Sequence, residues 1–176
     1  ASNEIPESVY RTLVEQANAA LPTLHRYFKL RQKLLKLPDL HYYDVYPELV
    51  DIGRNFPANE AIDLTMSAMK PLGEEYLGLL DQALKMRSMH TYPAEGKSSG
   101  AYQTGVYGLV PFVFLNHQDN FASLSTFAHE WGHGVHTMLA NKNQSFENAG
   151  YSLFLAELAS MTNEALLSNY MLKQSK

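Results

Sequence analysis

The chain has 176 residues, of which 45% are hydrophobic, with no cysteine, a formal net charge of −4 and a sequence pI near 6.0. That length can bury one real core, and no apolar run approaches the roughly 18 residues needed to cross a membrane, so a membrane-spanning chain is excluded. Lack of cysteine removes disulfides, thiol catalysis and thiolate metal ligands together and fits a reducing compartment, while the acidic balance argues against a nucleic-acid partner.

The first elements are helical. Pro6-Glu7 opens a helix carrying Val9, Leu13, Ala17 and Leu21, and Pro22-Thr23 is expected to break it before a second helix running to about Leu37. The two should pack as a helical hairpin. In the second, Arg26, Lys29, Lys33 and Lys36 form one stripe and Tyr27, Leu30, Leu34 and Leu37 another, so the basic stripe reads as a solvated face. Residues 38 to 57, with Pro38, Pro47, Gly53 and Pro57 among aromatics, read as an irregular connection. Helices follow over about 58 to 69 and 71 to 86, interrupted at Pro71.

From about 88 to 116 the pattern changes. Met89 to Tyr92 and Val110 to Leu115 are short and β-leaning, with Gly96, Gly100, Gly105 and Gly108 between them, which predicts a small sheet or hairpin. Gly100-Ala101-Tyr102 is the candidate for holding a substrate backbone, although the glycines could equally serve tight turns. His90 and His117 read as surface or structural histidines rather than ligands.

The most informative run is His129-Glu130-Trp131-Gly132-His133, on a helix expected from about 121 to 140. Residues four apart on a helix share a face, so both imidazoles can reach one zinc ion, with Glu130 beside the metal where a general base would take a proton from zinc-bound water. Gly132 and Gly134 each cost helix stability, about 1 kcal/mol relative to Ala, so close approach of another backbone or of substrate is expected to compensate. The metzincin pattern would need Gly and His where His136 and Leu139 stand, which excludes that class. The third ligand must then come from a following carboxylate. Glu147 lies in a polar loop beginning at Asn141, whereas Glu157 and Glu164 lie seven apart on one face of an apolar helix from about Tyr151 to Leu172. One could meet zinc and the other a metal-bound imidazole, and spacing alone does not separate them.

The segment His129 to His136, followed by Ala156-Glu157-Leu158-Ala159-Ser160 and Glu164, resembles the thimet oligopeptidase and oligoendopeptidase F family of zinc metallopeptidases. Gly96-Lys97-Ser98-Ser99-Gly100-Ala101-Tyr102 and Phe114-Leu115-Asn116 are similar to the bacterial oligoendopeptidase F branch, and His41-Tyr42-Tyr43-Asp44-Val45-Tyr46 to the stretch that opens its catalytic region. The resemblance implies that Glu157 is the third ligand, that Glu164 has a supporting role, and that His136 is a supporting or packing residue without a ligand role. It implies one zinc per chain, short peptides as substrates and a cytoplasmic location. Members are much longer, and their His and Tyr residues that stabilise the tetrahedral intermediate lie beyond the zinc helices. Together with the helical pattern still running at Lys173-Gln174-Ser175-Lys176, this leads one to expect that residues 1–176 are a central fragment of one catalytic domain, weak or inactive alone.

The fold expected is mainly α with a small β-sheet or hairpin, a zincin-like His-Glu-x-x-His helix and a following glutamate-bearing helix. The alternative is a non-catalytic helical fragment or binding module with a structural metal. A coordination position left open to water would favour the enzyme, and a closed four-ligand site the alternative.

Overall fold

The computed structural model describes residues 5–47, 49 and 53–174. The chain divides into two compact units, Ala1–Gly53 and Arg54–Lys176.

In the first unit one helix, α1 (Glu7–Leu35), runs without interruption through Pro22. The expected break, and with it the hairpin, is therefore corrected. Proline removes one helical N–H and crowds the carbonyl four residues back, but the surface around Pro22 is exposed, so water can satisfy what the ring displaces. The helix ends at Lys36, which adopts a left-handed φ of 56°. Leu37 N donates to Gln32 O at 3.1 Å and Lys36 N to Lys33 O at 3.3 Å, a Schellman closure formed without glycine. The basic stripe of the predicted second helix is exposed, and so are Tyr27, Leu30 and Leu34 of the apolar one, while Leu37 is half-buried. Arg31 is the buried residue of α1. Its guanidinium donates to Asp44 O at 3.1 and 2.9 Å, to the Tyr27 hydroxyl at 3.1 Å and to Pro47 O. A helical cation thereby fastens the irregular connection, in which Tyr42–Val45 forms a 3-10 turn; residues 48 and 50–52 of that stretch lie outside the described residues.

The second unit holds α2 (Ala58–Ala68), α3 (Glu74–Lys85), three short strands, α4 (Phe121–Asn143) and α5 (Leu153–Gln174). Pro71 sits in a 3-10 turn, Lys70–Leu72, and Gly73 at φ 88° turns the chain into α3, as the predicted interruption requires. Strands β1 (Met89–His90), β2 (Tyr102–Thr104) and β3 (Phe112–Phe114) form a sheet in the order β1-β3-β2. β1 is parallel to β3, and β2 is antiparallel to it with Gln103 opposite Val113. β2 arises between the two β-leaning runs, beginning at the last residue of the Gly100-Ala101-Tyr102 segment named as the candidate for holding a substrate backbone; three residues are too few for a period-2 pattern to register.

α4 is the axis of this unit. Asn120 caps it, its side chain accepting from Ser123 N at 2.9 Å. Leu124, Phe127, Trp131 and Val135 are fully buried and meet Phe56, Leu80, Val113 and Leu167 in one core. The helix continues to Asn143, past the Asn141 where a loop was expected; Asn143 Nδ2 donates to Leu139 O at 2.8 Å, satisfying a carbonyl of the last turn.

Candidate metal centre

α4 and α5 meet at Gly132. A Cβ there would stand 2.8 Å from Ser160 Cα and 3.0 Å from Ala159 O, so only glycine lets the backbones come this close. The expected compensation for Gly132 is thus the backbone of α5. At Gly134 a Cβ would meet the Trp131 ring at 2.9 Å, so this glycine makes room for the buried indole.

Along α5 the buried positions Ala156, Ser160, Asn163 and Leu167 recur at helical spacing. Glu157 and Glu164 flank that stripe, half-buried, on the side that faces the two histidines of α4. Asn163 is buried and crosses to α4, its Nδ2 donating to Ala128 O at 2.9 Å, while the Tyr76 hydroxyl of α3 donates to its Oδ1 at 2.9 Å. Three helices are therefore tied by one amide, which meets α4 at the residue before His129. Burial pushes the Tyr76 hydroxyl up to about 12.

His129 Nε2 and His133 Nε2 lie 3.1 Å apart, and Glu157 Oε2 lies 3.5 Å from the first and 3.7 Å from the second. Ligand atoms around a tetrahedral zinc stand about 3.3–3.5 Å apart, given bond lengths of about 2.0–2.2 Å. The triangle thus fits such an ion, and the donor set, two imidazoles and a carboxylate, has the chemistry of a catalytic zinc site. Among the described residues this is the one group of three or more possible ligands, and it has no fourth protein member.

The surroundings orient the triangle. Glu164 Oε1 lies 2.7 Å from His129 Nδ1, which places the ring proton there and leaves the Nε2 lone pair facing Glu157. Ser125 Oγ donates to the other Glu164 oxygen at 3.1 Å, and Ser160 Oγ donates to Glu157 Oε2 at 2.9 Å. Burial, with the neighbouring His129, holds His133 below the usual imidazole range, favouring the neutral ligand form.

Glu130 is 6% exposed, and its Oε2 is buried without a hydrogen-bond partner among the described residues. Burial raises its carboxyl above the usual range, with His129 opposing and Glu157 reinforcing the shift. It lines the cleft that also exposes Ala101, Tyr102, His129, His133 and Glu157. Gly100 lines the adjoining cavity, at φ 91°, with its carbonyl accepting from Asn116 Nδ2 at 2.8 Å.

Other sequence candidates sit apart. His136 stacks on Tyr151 at 4.1 Å and burial lowers its pKa, the environment of a packing residue. His117 is buried, its Nε2 2.7 Å from Phe56 O, and His90 is an exposed strand residue; neither joins the cluster. Sequence reasoning missed Ser125, Asn163 and Tyr76. Asn163 carried a faint signal, a polar residue on the same face as Ser160 in an apolar helix.

The model of peptidase family M3 matches residues 1–176. The chain belongs to this family. It is 44% identical over 173 residues to the oligopeptidase PepF of Bacillus subtilis, covering 98% of this chain and 26% of that one. To the group B oligopeptidase PepB of Streptococcus agalactiae it is 42% identical over 176 residues, covering 100% of this chain and 29% of that one. A crystal structure of a protein from Chlamydophila abortus superposes with a TM-score of 0.83 at 39% identity, covering 99% of this chain and 29% of the other. The M3 chain described here therefore spans little more than a quarter of the length of the relatives it matches.

Proposed function

We infer that these residues carry the zinc centre of a metallopeptidase that hydrolyses short peptides, one zinc per chain, and that they form the central part of its catalytic domain. The observation that carries this reading is the convergence of His129 Nε2, His133 Nε2 and Glu157 Oε2 within 4.8 Å of one another, with Glu130 in the same cleft.

His129, His133 and Glu157 would hold the ion, and three protein ligands leave the fourth position for water, which supports a catalytic site over a structural one. When bound, zinc supplies Lewis acidity, which acidifies water and polarises a carbonyl. Glu164 fixes the tautomer and orientation of His129, and Ser160 fixes the Glu157 carboxylate. Glu130 takes the proton of the attacking water and delivers it to the leaving amine; its desolvated carboxyl, held above the usual carboxylate range by burial, suits both halves of that transfer. Ala101 and Tyr102 line the cleft and Gly100 the adjoining cavity, which supports a role for this segment in hydrogen-bonding an extended peptide and holding its scissile bond in place. The oligopeptidase names of the relatives support short peptides as substrates, and the family resemblance supports a cytoplasmic location.

Elemental analysis and zinc titration of the purified chain, beside a peptide-cleavage assay, test this reading. One zinc per chain, lost when His129 or His133 is replaced, is expected. Stoichiometric zinc that survives both replacements would overturn it.

A further inference from the structure

Three cavities follow one another along β2. The first is bordered by Ser99, Gly100 and Ala101, the second by Ala101, Tyr102 and Gln103 opposite the histidines and Glu157, the third by Gln103, Thr104 and Gly105. Shared Ala101 and shared Gln103 make them one groove, with the candidate metal centre at its middle. β2 is an edge strand, so its outer backbone groups face this groove.

The third cavity has a feature the peptidase reading does not use. Gln103, from β2, and Asn141, from the last turn of α4, are among its lining residues, and their side-chain nitrogens Nε2 and Nδ2 are buried without a hydrogen-bond partner among the described residues, so a ligand meets them once these side chains turn into the cavity. Two buried amide donors left unmatched are costly, each on the order of 1–3 kcal/mol, unless a ligand or water completes them. No charged side chain lines the cavity, which disfavours a free carboxylate or ammonium as occupant. Tyr107, Phe146 and Tyr151 give it aromatic walls, with Tyr107 Oη tied to Gln144 O at 2.8 Å.

We propose that Gln103 and Asn141 form a peptide subsite that donates hydrogen bonds to main-chain carbonyl oxygens of an extended substrate running past the metal centre, with an uncharged side chain against the aromatic wall. The proposal rests on the peptidase reading above and deepens it: the subsite recognises chain that continues beyond the scissile bond and not a charged terminus. Strand residues advance about 3.3 Å each, so peptides lengthened one residue at a time sample the groove in steps of that size.

The test uses acetylated and amidated peptides lengthened by one residue at a time at either end, with binding followed by fluorescence anisotropy on a Glu130→Gln background so that bound peptide is not cut. Zinc is titrated in parallel. In the background protein, affinity should step up about 3–10-fold per contact as the peptide reaches the subsite. Asn141→Leu, outside the metal-centre cavity, should abolish that step while leaving the shortest peptides and zinc stoichiometry unchanged, and Gln103→Glu, nearly isosteric but without the amide donor, should abolish the step as well. Persistence of the step in both variants, or its absence from the background protein, overturns the subsite. Failure of zinc to bind instead overturns the peptidase reading, and the length dependence is read independently of it.

Discussion

Glu164 and His129 form the tightest contact of the candidate centre, 2.7 Å between Oε1 and Nδ1, on the side of the imidazole opposite the one that faces Glu157. The two glutamates of α5, alike in spacing and burial, are distinguished by which nitrogen of His129 each addresses.

Loss of Glu164 should weaken the site without dismantling it. Replacing an outer partner of a metal-bound histidine costs about 10–100-fold in affinity, so Glu164→Gln is expected to lower zinc affinity within that range while one ion per chain is still reached at saturation. Competitive titration against a chromophoric chelator measures this, and unchanged affinity would remove Glu164 from its supporting role.

Glu130 should behave in the opposite way. Its carboxyl is desolvated and is not a member of the ligand group, so Glu130→Gln is expected to keep zinc while peptide hydrolysis falls by about 10²–10⁴-fold or more. Concurrent loss of zinc and activity would make Glu130 a ligand instead.

The glycines give a stability contrast. Gly132→Ala would drive a Cβ to 2.8 Å from Ser160 Cα, so despite alanine's better helix propensity the protein should lose about 1–3 kcal/mol. Gly78, exposed on α3 with nothing within 4 Å of its would-be Cβ, should instead gain about 0.4–1 kcal/mol on replacement by Ala. Denaturant midpoints of the two variants check the difference in sign.

Tyr76 supplies a pH dependence. Its hydroxyl is pushed from 10.0 up to about 12 by burial, so the folded state holds the proton more tightly than the unfolded chain does. The corresponding stability is complete below about pH 10 and is lost as pH rises through the folded value, on the order of 2–3 kcal/mol in all. Tyr76→Phe should show a flatter loss of stability than the parent between those pH values, and parallel curves would deny the shift.

What the sequence made legible follows from periodicity. His129 and His133 at helical spacing, and Glu157 with Glu164 seven apart, put the right faces together before any coordinates, and the α4 and α5 boundaries fell within a few residues of those expected. Pro22 misled because a breaker acts on the local backbone, while the exposed setting that tolerates it is tertiary information. β2 was too short to signal itself by periodicity, and only its first residue, Tyr102, lay within the segment named as a substrate-holding candidate. Asn163, Ser125 and Tyr76 serve the site only through contacts between helices far apart in sequence, Tyr76 and Asn163 being 87 residues apart, and no local pattern encodes such a meeting.

The assignment of the metal ligands is tested most directly by zinc titration of the parent, Glu157→Ala and Glu164→Ala side by side on this chain. The parent should bind one zinc; Glu157→Ala should lose affinity by well over the about 10–100-fold expected of Glu164→Ala, because it removes a ligand atom rather than a ligand's partner. Tight stoichiometric zinc retained by Glu157→Ala, with loss confined to Glu164→Ala, would contradict the account.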